Sequence, residues 1–287
     1  MANLFIAGGN KVNEIGFYDT NGLFCAGVTS LAAGASAPMR RFYALKEATA
    51  TQPVKERVNQ TGDDILRGFL TFDSIEPLVI EMTVGAHELD MAGDVQNINA
   101  VADSGIVTML PINPAVLEYP RVMFFSQGTA KKDVFGTDAS VRWHAHMFNA
   151  GELVFRGADS LTERALRQWA YTYTAEQTSK WPWGSALTAF GTEAVAGAEW
   201  ISDKLVTFHA YRGDSALADD TLALPYLAAG THITAGVFDI WQTVVSTGVT
   251  TKLAATTGFT VANSTISTIT FAAATTGNHY VVRYKRA

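Results

Sequence analysis

The 287-residue chain has one cysteine, Cys25, so it can form no intramolecular disulfide and no thiolate zinc cluster. It is short of charge as well: Asp, Glu, Lys and Arg make up 17% of it, against ~25% in ordinary soluble domains. With only 8 prolines and 48% hydrophobic residues, it falls outside the disordered, proline-rich and collagen-like classes. An excess of basic residues is also missing. The net charge of −6 and a pI near 5.5 disfavour a whole-molecule grip on nucleic acid. Nowhere do about 18 apolar residues run together, which excludes a spanning helix. The start has no basic region, and glycine interrupts its apolar run at Gly8, so we expect a soluble chain without an export signal. G-x-S-x-G, P-loop and G-x-G-x-x-G motifs are absent.

What is present is short alternating runs between clusters of Gly, Asn, Asp and Thr, the pattern of β structure. Asn21-Gly22 separates two apolar runs and predicts a hairpin with a type I′ turn. A strand is expected at Arg41–Leu45, and the polar stretch Lys46–Gly62 reads as a long exposed loop. From Ile65 the alternation is clear. Leu66, Gly68, Leu70 and Phe72 share a face. After Ser74–Pro77, Leu78, Ile80, Met82 and Val84 share a face opposite Val79, Glu81 and Thr83. This predicts antiparallel strands over Ile65–Ile75 and Leu78–Val84, with one side on a core and the other wet.

Further strands are expected at Arg121–Ser126, Ser140–Phe148, Glu152–Gly157, Gln168–Ala175 and Lys204–Arg212. A capping box at Ser160 and Glu163 predicts one short helix, and Ala194–Trp200 reads as a second. Asp214–Gly230 reads as a connector. The last 57 residues, from Thr231, hold 14 threonines and one acid, Asp239. They predict a small Thr-rich β module with strands at Phe238–Val245, Val261–Phe271 and Tyr280–Tyr284. The expected fold is mainly β: an antiparallel sandwich or half-barrel over residues 1–213 with one or two short flanking helices, a connector at 214–230, and a module at 231–287.

No active site stands out. His144 and His146 lie on one face of a strand at a metal-pair spacing, but no third ligand is near in sequence, and two polar residues on a wet face is the simpler reading. Cys25, beside the hairpin, has no basic neighbour to activate it and reads as a buried inert thiol. Trp181-Pro182-Trp183-Gly184 fits a packed corner better than a sugar platform. Neither a metal nor a cofactor is expected, and the chain does not read as an enzyme.

The charge distribution is uneven. Between Thr61 and Val95 stand eight acids, Asp63, Asp64, Asp73, Glu76, Glu81, Glu88, Asp90 and Asp94, with Arg67 the one base. That is −7 in 35 residues against −6 for the whole chain, leaving +1 for the other 252. Such a stretch is ordinarily a solvated face, and Glu88, Asp90 and Asp94 could ligate calcium, although no complete Asp-x-Asp-x-Asp-Gly loop occurs. Copies arranged round an axis with this face inward would line a channel that repels phosphates.

The order of features resembles the tail tube (major tail) proteins of long, flexible-tailed bacteriophages. It comprises a polar loop into Thr61–Ser74, the medial strands, Arg121–Ser126, Tyr171–Thr174, and the Trp181–Gly184 corner. The end segment is similar to accessory β modules of phage virion proteins, on Val244–Gly248, Gly258–Val261, Ile269–Phe271 and Tyr280–Tyr284. The resemblance covers roughly Met39–Arg212; the first 37 residues match nothing in it. It implies hexameric rings that stack into a hollow tube through which double-stranded DNA passes without specific binding. Partners would be the chain itself, a tape measure protein and the tail tip, with no membrane. The location would be the virion tail, after synthesis in the host cytoplasm. Arg67, Asp73 and Glu81 would face the lumen, and Lys46–Gly62 would be the inter-ring arm. A trimeric capsid decoration or receptor-binding virion protein is the alternative. A carbohydrate-active β-sandwich enzyme using two carboxylates is a more distant one.

Overall fold

The computed structural model describes residues 5–42, 45–51, 56–62, 65–72, 79–85, 89–95, 100–103, 106–109, 120–132, 141–159, 168–175, 197–202, 204–214, 220–226, 238–253, 259–262, 268–271 and 278–286. The chain opens with β1 (Phe5–Tyr18), β2 (Phe24–Ala26), β3 (Ser36–Pro38), β4 (Arg40–Arg41), β5 (Leu45–Thr51), β6 (Glu56–Gly62), β7 (Ile65–Phe72) and β8 (Val79–Val84). Helix α1 (Leu89–Val95) follows, then β9 (Ala100–Asp103), β10 (Ile106–Met109), β11 (Arg121–Lys132), β12 (Val141–Asp159), β13 (Gln168–Ala175) and β14 (Gly197–Ser202). The remainder is β15 (Val206–Arg212), β16 (Asp220–Ala223), β17 (Phe238–Val244), β18 (Val249–Lys252), β19 (Phe259–Ala262), β20 (Thr268–Phe271) and β21 (Asn278–Lys285). The fold is mainly β and antiparallel, with one short helix among the described residues.

A large sheet runs β2-β1-β11-β12-β13-β8-β5, with β4 on β1 and β14 on β12. Strand β12 is long enough to take two partners on one edge, β14 along Trp143–Phe148 and β13 along Gly151–Asp159, while β11 holds the other edge. One face of this sheet curls around a core of Ile15, Phe17, Ile80, Met82, Val84, Phe124, Leu153, Tyr171 and Tyr173, closed by Met91 and Val95 of α1. Phe42 meets Tyr171 edge-on at 5.1 Å between ring centroids. This is the half-barrel.

The opposite face, over β1, β2, β11 and the first half of β12, packs on a second sheet of order β18-β17-β21-β15-β3. Met123, Phe125, Ala145 and Met147 meet Val206, Phe208, Ala210, Trp241 and Val281 there. Alternation sends Tyr211, Ile240, Tyr280, Val282 and Tyr284 to the other side of the second sheet, against Leu222, Ile269 and Phe271 of the small sheet β16-β20-β19. The central strands β15 and β21 of the second sheet are therefore buried on both faces. This explains why β15 and β21 are near-continuous runs of buried residues, without an exposed polar alternate.

Polar clamps join the two large sheets. The Gln127 amide donates to the Val206 carbonyl at 2.7 Å and accepts from the Val206 N–H at 2.8 Å. His279 Nε2 lies 2.6 Å from the Phe24 carbonyl oxygen. Glu14, 1% exposed, pairs with Arg286 and accepts from the Thr207 hydroxyl at 3.2 Å. Burial raises the Glu14 carboxyl above its ordinary range, and Arg286, Thr207 and Arg41 offset this only in part. The ion pair is thus a specific contact whose desolvation cost remains.

Several expectations are corrected. The segment 231–287 is not a separate module: its β17 and β21 share a sheet with β15 and β3 and supply Trp241 and Val281 to the central core. The connector 214–230 contains a strand, β16, because Leu222 and Leu224 fill the third core. The stretch Lys46–Gly62 is no loop but contributes β5 and β6. Ala48 and Ala50 of β5 sit opposite Met82 and Ile80, and alanine gives hydropathy too little to register. Residues 197–200 of the expected second helix belong to β14, where pairing with β12 overrides the helix preference of an Ala-rich stretch. The capping box at Ser160 and Glu163 lies outside the described residues, and the described helix, α1, falls within the acidic stretch. The Asn21-Gly22 hairpin forms with a different turn. Gly22 has φ 77° while Asn21 stays at negative φ, the Gly22 N–H donates to the Asp19 carbonyl at 2.9 Å, and Asp19 Oδ1 accepts from Asn21 and Leu23. That is a type I turn closed by a left-handed glycine.

Two predictions follow from this architecture. Deleting Thr231–Ala287 should abolish the cooperative thermal transition in calorimetry, because the central core loses Trp241 and Val281 together with the strand β21 that holds β15. The second concerns His209, 2% exposed, with neither ring nitrogen hydrogen-bonded. Burial pushes its pKa down from 6.5 to about 4. The unfolded chain thus takes up a proton that the native one refuses, and this contribution to stability is lost as pH falls from about 6.5 toward 4. Burial also lowers His279, which acts in the same sense. In urea titrations at pH 7 and pH 5, His209→Leu should lose roughly 2 kcal/mol less stability than the native chain on acidification.

Candidate functional site

The face of the large sheet that the second sheet covers over β1 and β11 continues, without that cover, over the second half of β12, β13, β8 and β5. On β8, Ile80, Met82 and Val84 are buried in the half-barrel core, so the intervening Val79, Glu81 and Thr83 face outward, and Glu81 is exposed. The alternation read from the sequence is the one observed. Glu81 lies opposite Thr172 of β13 and Thr49 of β5, Thr83 lies opposite Glu47, and Val79 lies between Thr174 and Thr51. Glu152 follows beside Thr174, with Arg121 opposite it on β11. Among the residues of these rows whose side chains are described, Glu81 and Glu152 are exposed, Thr83 and Thr174 are half-buried, and Thr172 is buried. Residues opposite one another in antiparallel pairs share a face, so these positions form one polar surface.

The sequence-predicted residues do not all gather there. Glu81 does. Arg67 lies on β7, which pairs with β6 alone in a separate two-stranded sheet. The expected pairing of the Ile65 and Leu78 strands does not occur, because β13 and β5 occupy both edges of β8. Asp90 and Asp94 lie on α1, whose Met91 and Val95 enter the half-barrel core on the side away from Glu81. Asp94 bonds Arg40 at 2.6 Å, so part of the acidic charge is neutralised by a base distant in sequence. Asp63, Asp64, Asp73, Glu76 and Glu88 lie outside the described residues, as do Trp181 and Trp183. Among the described acids of this stretch, Glu81 is exposed on β8, and Asp90 and Asp94 are on the helix.

Strands β5, β6, β7 and β8 nest as two antiparallel pairs, β6–β7 inside β5–β8 in sequence, with Gly62 opposite Ile65 at the inner end. Among the described strands, β5 pairs only with β8, and the β6–β7 ribbon pairs with nothing else, so both leave backbone edges open. Sequence reasoning missed this nested hairpin. Its only signal was alternation of Thr with Ala and of Val with polar residues, which reads equally as loop.

The remaining candidates have simple environments. Cys25 is buried, and burial with Asp19 nearby pushes its thiol up to about 11, far from a thiolate at neutral pH. Among the described residues no group of three His, Cys, Asp or Glu is assembled around a metal position, and no helix is long and apolar enough to cross a membrane. A scan of family models finds none that matches the chain, and no curated protein matches it in sequence.

The exposed position of Glu81 and the buried one of Tyr171 give a direct test of the face assignment. Glu81→Lys should change stability by less than about 0.5 kcal/mol. Tyr171→Ala, at a side chain 1% exposed, should cost about 3–5 kcal/mol by analogy with buried Phe and Trp. Urea unfolding of the two variants checks both values.

Proposed function

We propose that this chain is a structural, self-assembling subunit whose open threonine and glutamate face lines the lumen of a hollow tube built from stacked rings, as in a phage tail. The observation that carries the reading is the half-covered sheet. One half of a continuous face is sealed by a second sheet, and the other carries the exposed Glu81 and Glu152 beside β5, which among the described strands pairs only with β8. Edges of this kind invite strand addition, and ring closure uses them up in a controlled way. Double-stranded DNA would pass a lumen on which Glu81 of β8 and Glu152 of β12 are exposed, and these carboxylates would repel rather than hold it. The β6–β7 ribbon supplies a second open edge for contact between rings, and head-to-tail contact that never closes gives a filament. This role needs no catalytic group and no cofactor, and tape measure and tail tip proteins would be its further partners in the virion.

Negative-stain electron microscopy over a concentration series, with sedimentation velocity, tests the proposal. Hollow rings or striated tubes are expected, and Glu81→Lys should form them as well, since it changes the lumen and not the edges. Closed trimers would instead favour a decoration or receptor-binding role, and a monomer at every concentration would defeat self-assembly of the free chain.

A further inference from the structure

Asn21-Gly22, at the tip of the β1–β2 hairpin, is the one Asn-Gly pair in the chain. Glycine after asparagine is where the main chain most readily attacks the side-chain amide, because no Cβ shields the following nitrogen. The structure leaves room for that attack. Asn21 is exposed, and a Cβ built on Gly22 would meet nothing within 4 Å. Asn13 and Asn278, by contrast, are buried within strands β1 and β21. What opposes the chemistry is the turn itself. The Gly22 N–H donates to the Asp19 carbonyl at 2.9 Å, so the attacking nitrogen is engaged while the turn is closed. The half-buried Asp19 holds the turn in place. Its Oδ1 accepts from the Asn21 N–H at 2.9 Å and from the Leu23 N–H at 2.8 Å. One carboxylate oxygen thus fixes the peptide on either side of the reacting one.

We propose that Asn21 is a site of spontaneous deamidation and that the Asp19 cap sets its rate. When the turn opens locally, the Gly22 nitrogen loses its proton to hydroxide and attacks Asn21 Cγ. A bond forms between them, and the bond from Cγ to the side-chain nitrogen breaks. That nitrogen takes a proton from water and leaves as ammonia. Water then opens the cyclic imide at either carbonyl. Breaking the new bond to Cγ gives aspartate, whereas breaking the original main-chain bond gives isoaspartate, with the chain running through Cβ and Cγ. Either product adds a carboxylate, and isoaspartate also inserts a main-chain carbon between Tyr18 and Phe24, which lie opposite each other. Phe24 carries the change inward, since its side chain is in the central core and its carbonyl oxygen lies 2.6 Å from His279 Nε2. The hairpin tip is therefore an ageing point for the interface between the two large sheets, independent of any tube assembly.

The test is incubation of the free full-length chain at mildly alkaline pH, read by peptide mapping with mass spectrometry and by enzymatic methylation of isoaspartate. Both products are expected at Asn21, forming more slowly in the folded chain than in the urea-unfolded one. Asp19→Ala should speed the folded-state reaction about tenfold, because two N–H groups lose a charged acceptor. Asp19→Asn, which keeps a side-chain carbonyl, should restore most of the protection. Asn21→Gln should remove the modification, because glutamine would have to close a larger and slower ring. The native chain is compared folded and unfolded without any variant, so an Asp19→Ala chain that fails to fold leaves the test intact. Three results would overturn the proposal: no conversion of the folded chain while the unfolded one converts fully, equal rates in the folded and unfolded chains, or equal rates in the native chain and folded Asp19→Ala. The first would mean that the turn blocks the reaction outright, and the other two that Asp19 does not control it.

Discussion

Strand β21, the last strand of the chain, is the piece on which the rest of the fold depends. It lies between β15 and β17 and is buried on both faces. Val281 faces the central core, and Tyr280, Val282 and Tyr284 face the third. Without it, β15 loses its long partner, the second sheet no longer covers β1 and β11, and the third core has no floor. A strand so placed makes the contacts highly non-local, as β1 and β21 stand at opposite ends of the chain and meet through Glu14 and Arg286. Folding to this arrangement must close a long loop between Glu14 and Arg286, which is entropically slow.

The interface between the two large sheets is mostly apolar, and such contacts tolerate slippage. The buried polar clamps restrict it. Gln127 satisfies both backbone groups of Val206, and His279 Nε2 sits 2.6 Å from the Phe24 carbonyl, so a one-residue shift of β15 or β21 would leave these groups unbonded. The Glu14–Arg286 pair works in the same way. Its value lies in specificity, since desolvation outweighs the attraction of Arg286 and the carboxyl is raised in spite of it. At the outer edge, Asp239 binds both Lys252 and Arg283, and those two bases also sit over the Trp241 ring, which ties β18, β17 and β21 together.

The same sheet has two differently covered halves. Its covered half packs on the second sheet, and its other half presents the exposed Glu81 and Glu152, with β5 at the border paired only with β8 among the described strands. These features have one origin, a sheet longer and wider than the layer that covers it.

How much was legible follows from where hydrophobicity alternates. Strands β8, β13, β15, β17 and β21 were readable because Ile80 and Met82, Tyr171 and Tyr173, or Phe208 and Tyr211 put large apolar groups on defined faces. The exposed face of Glu81 was readable for the same reason. Strands β5 and β14 were not, because Ala48, Ala50 and Ala198 carry too little hydrophobic signal and only their partners hold them extended. Of the acids between Asp63 and Asp94, two described ones meet different surroundings that sequence density does not reveal: Asp94 pairs with Arg40, and Glu81 is exposed on β8. By itself, the sequence determined the β class, the short strands and their inward faces, since these depend on local alternation. Only the tertiary structure decided that the C-terminal strands belong to the core, that β5 to β8 nest as a hairpin, and that β14 pairs with β12, because register between distant strands is set by pairing across the whole chain.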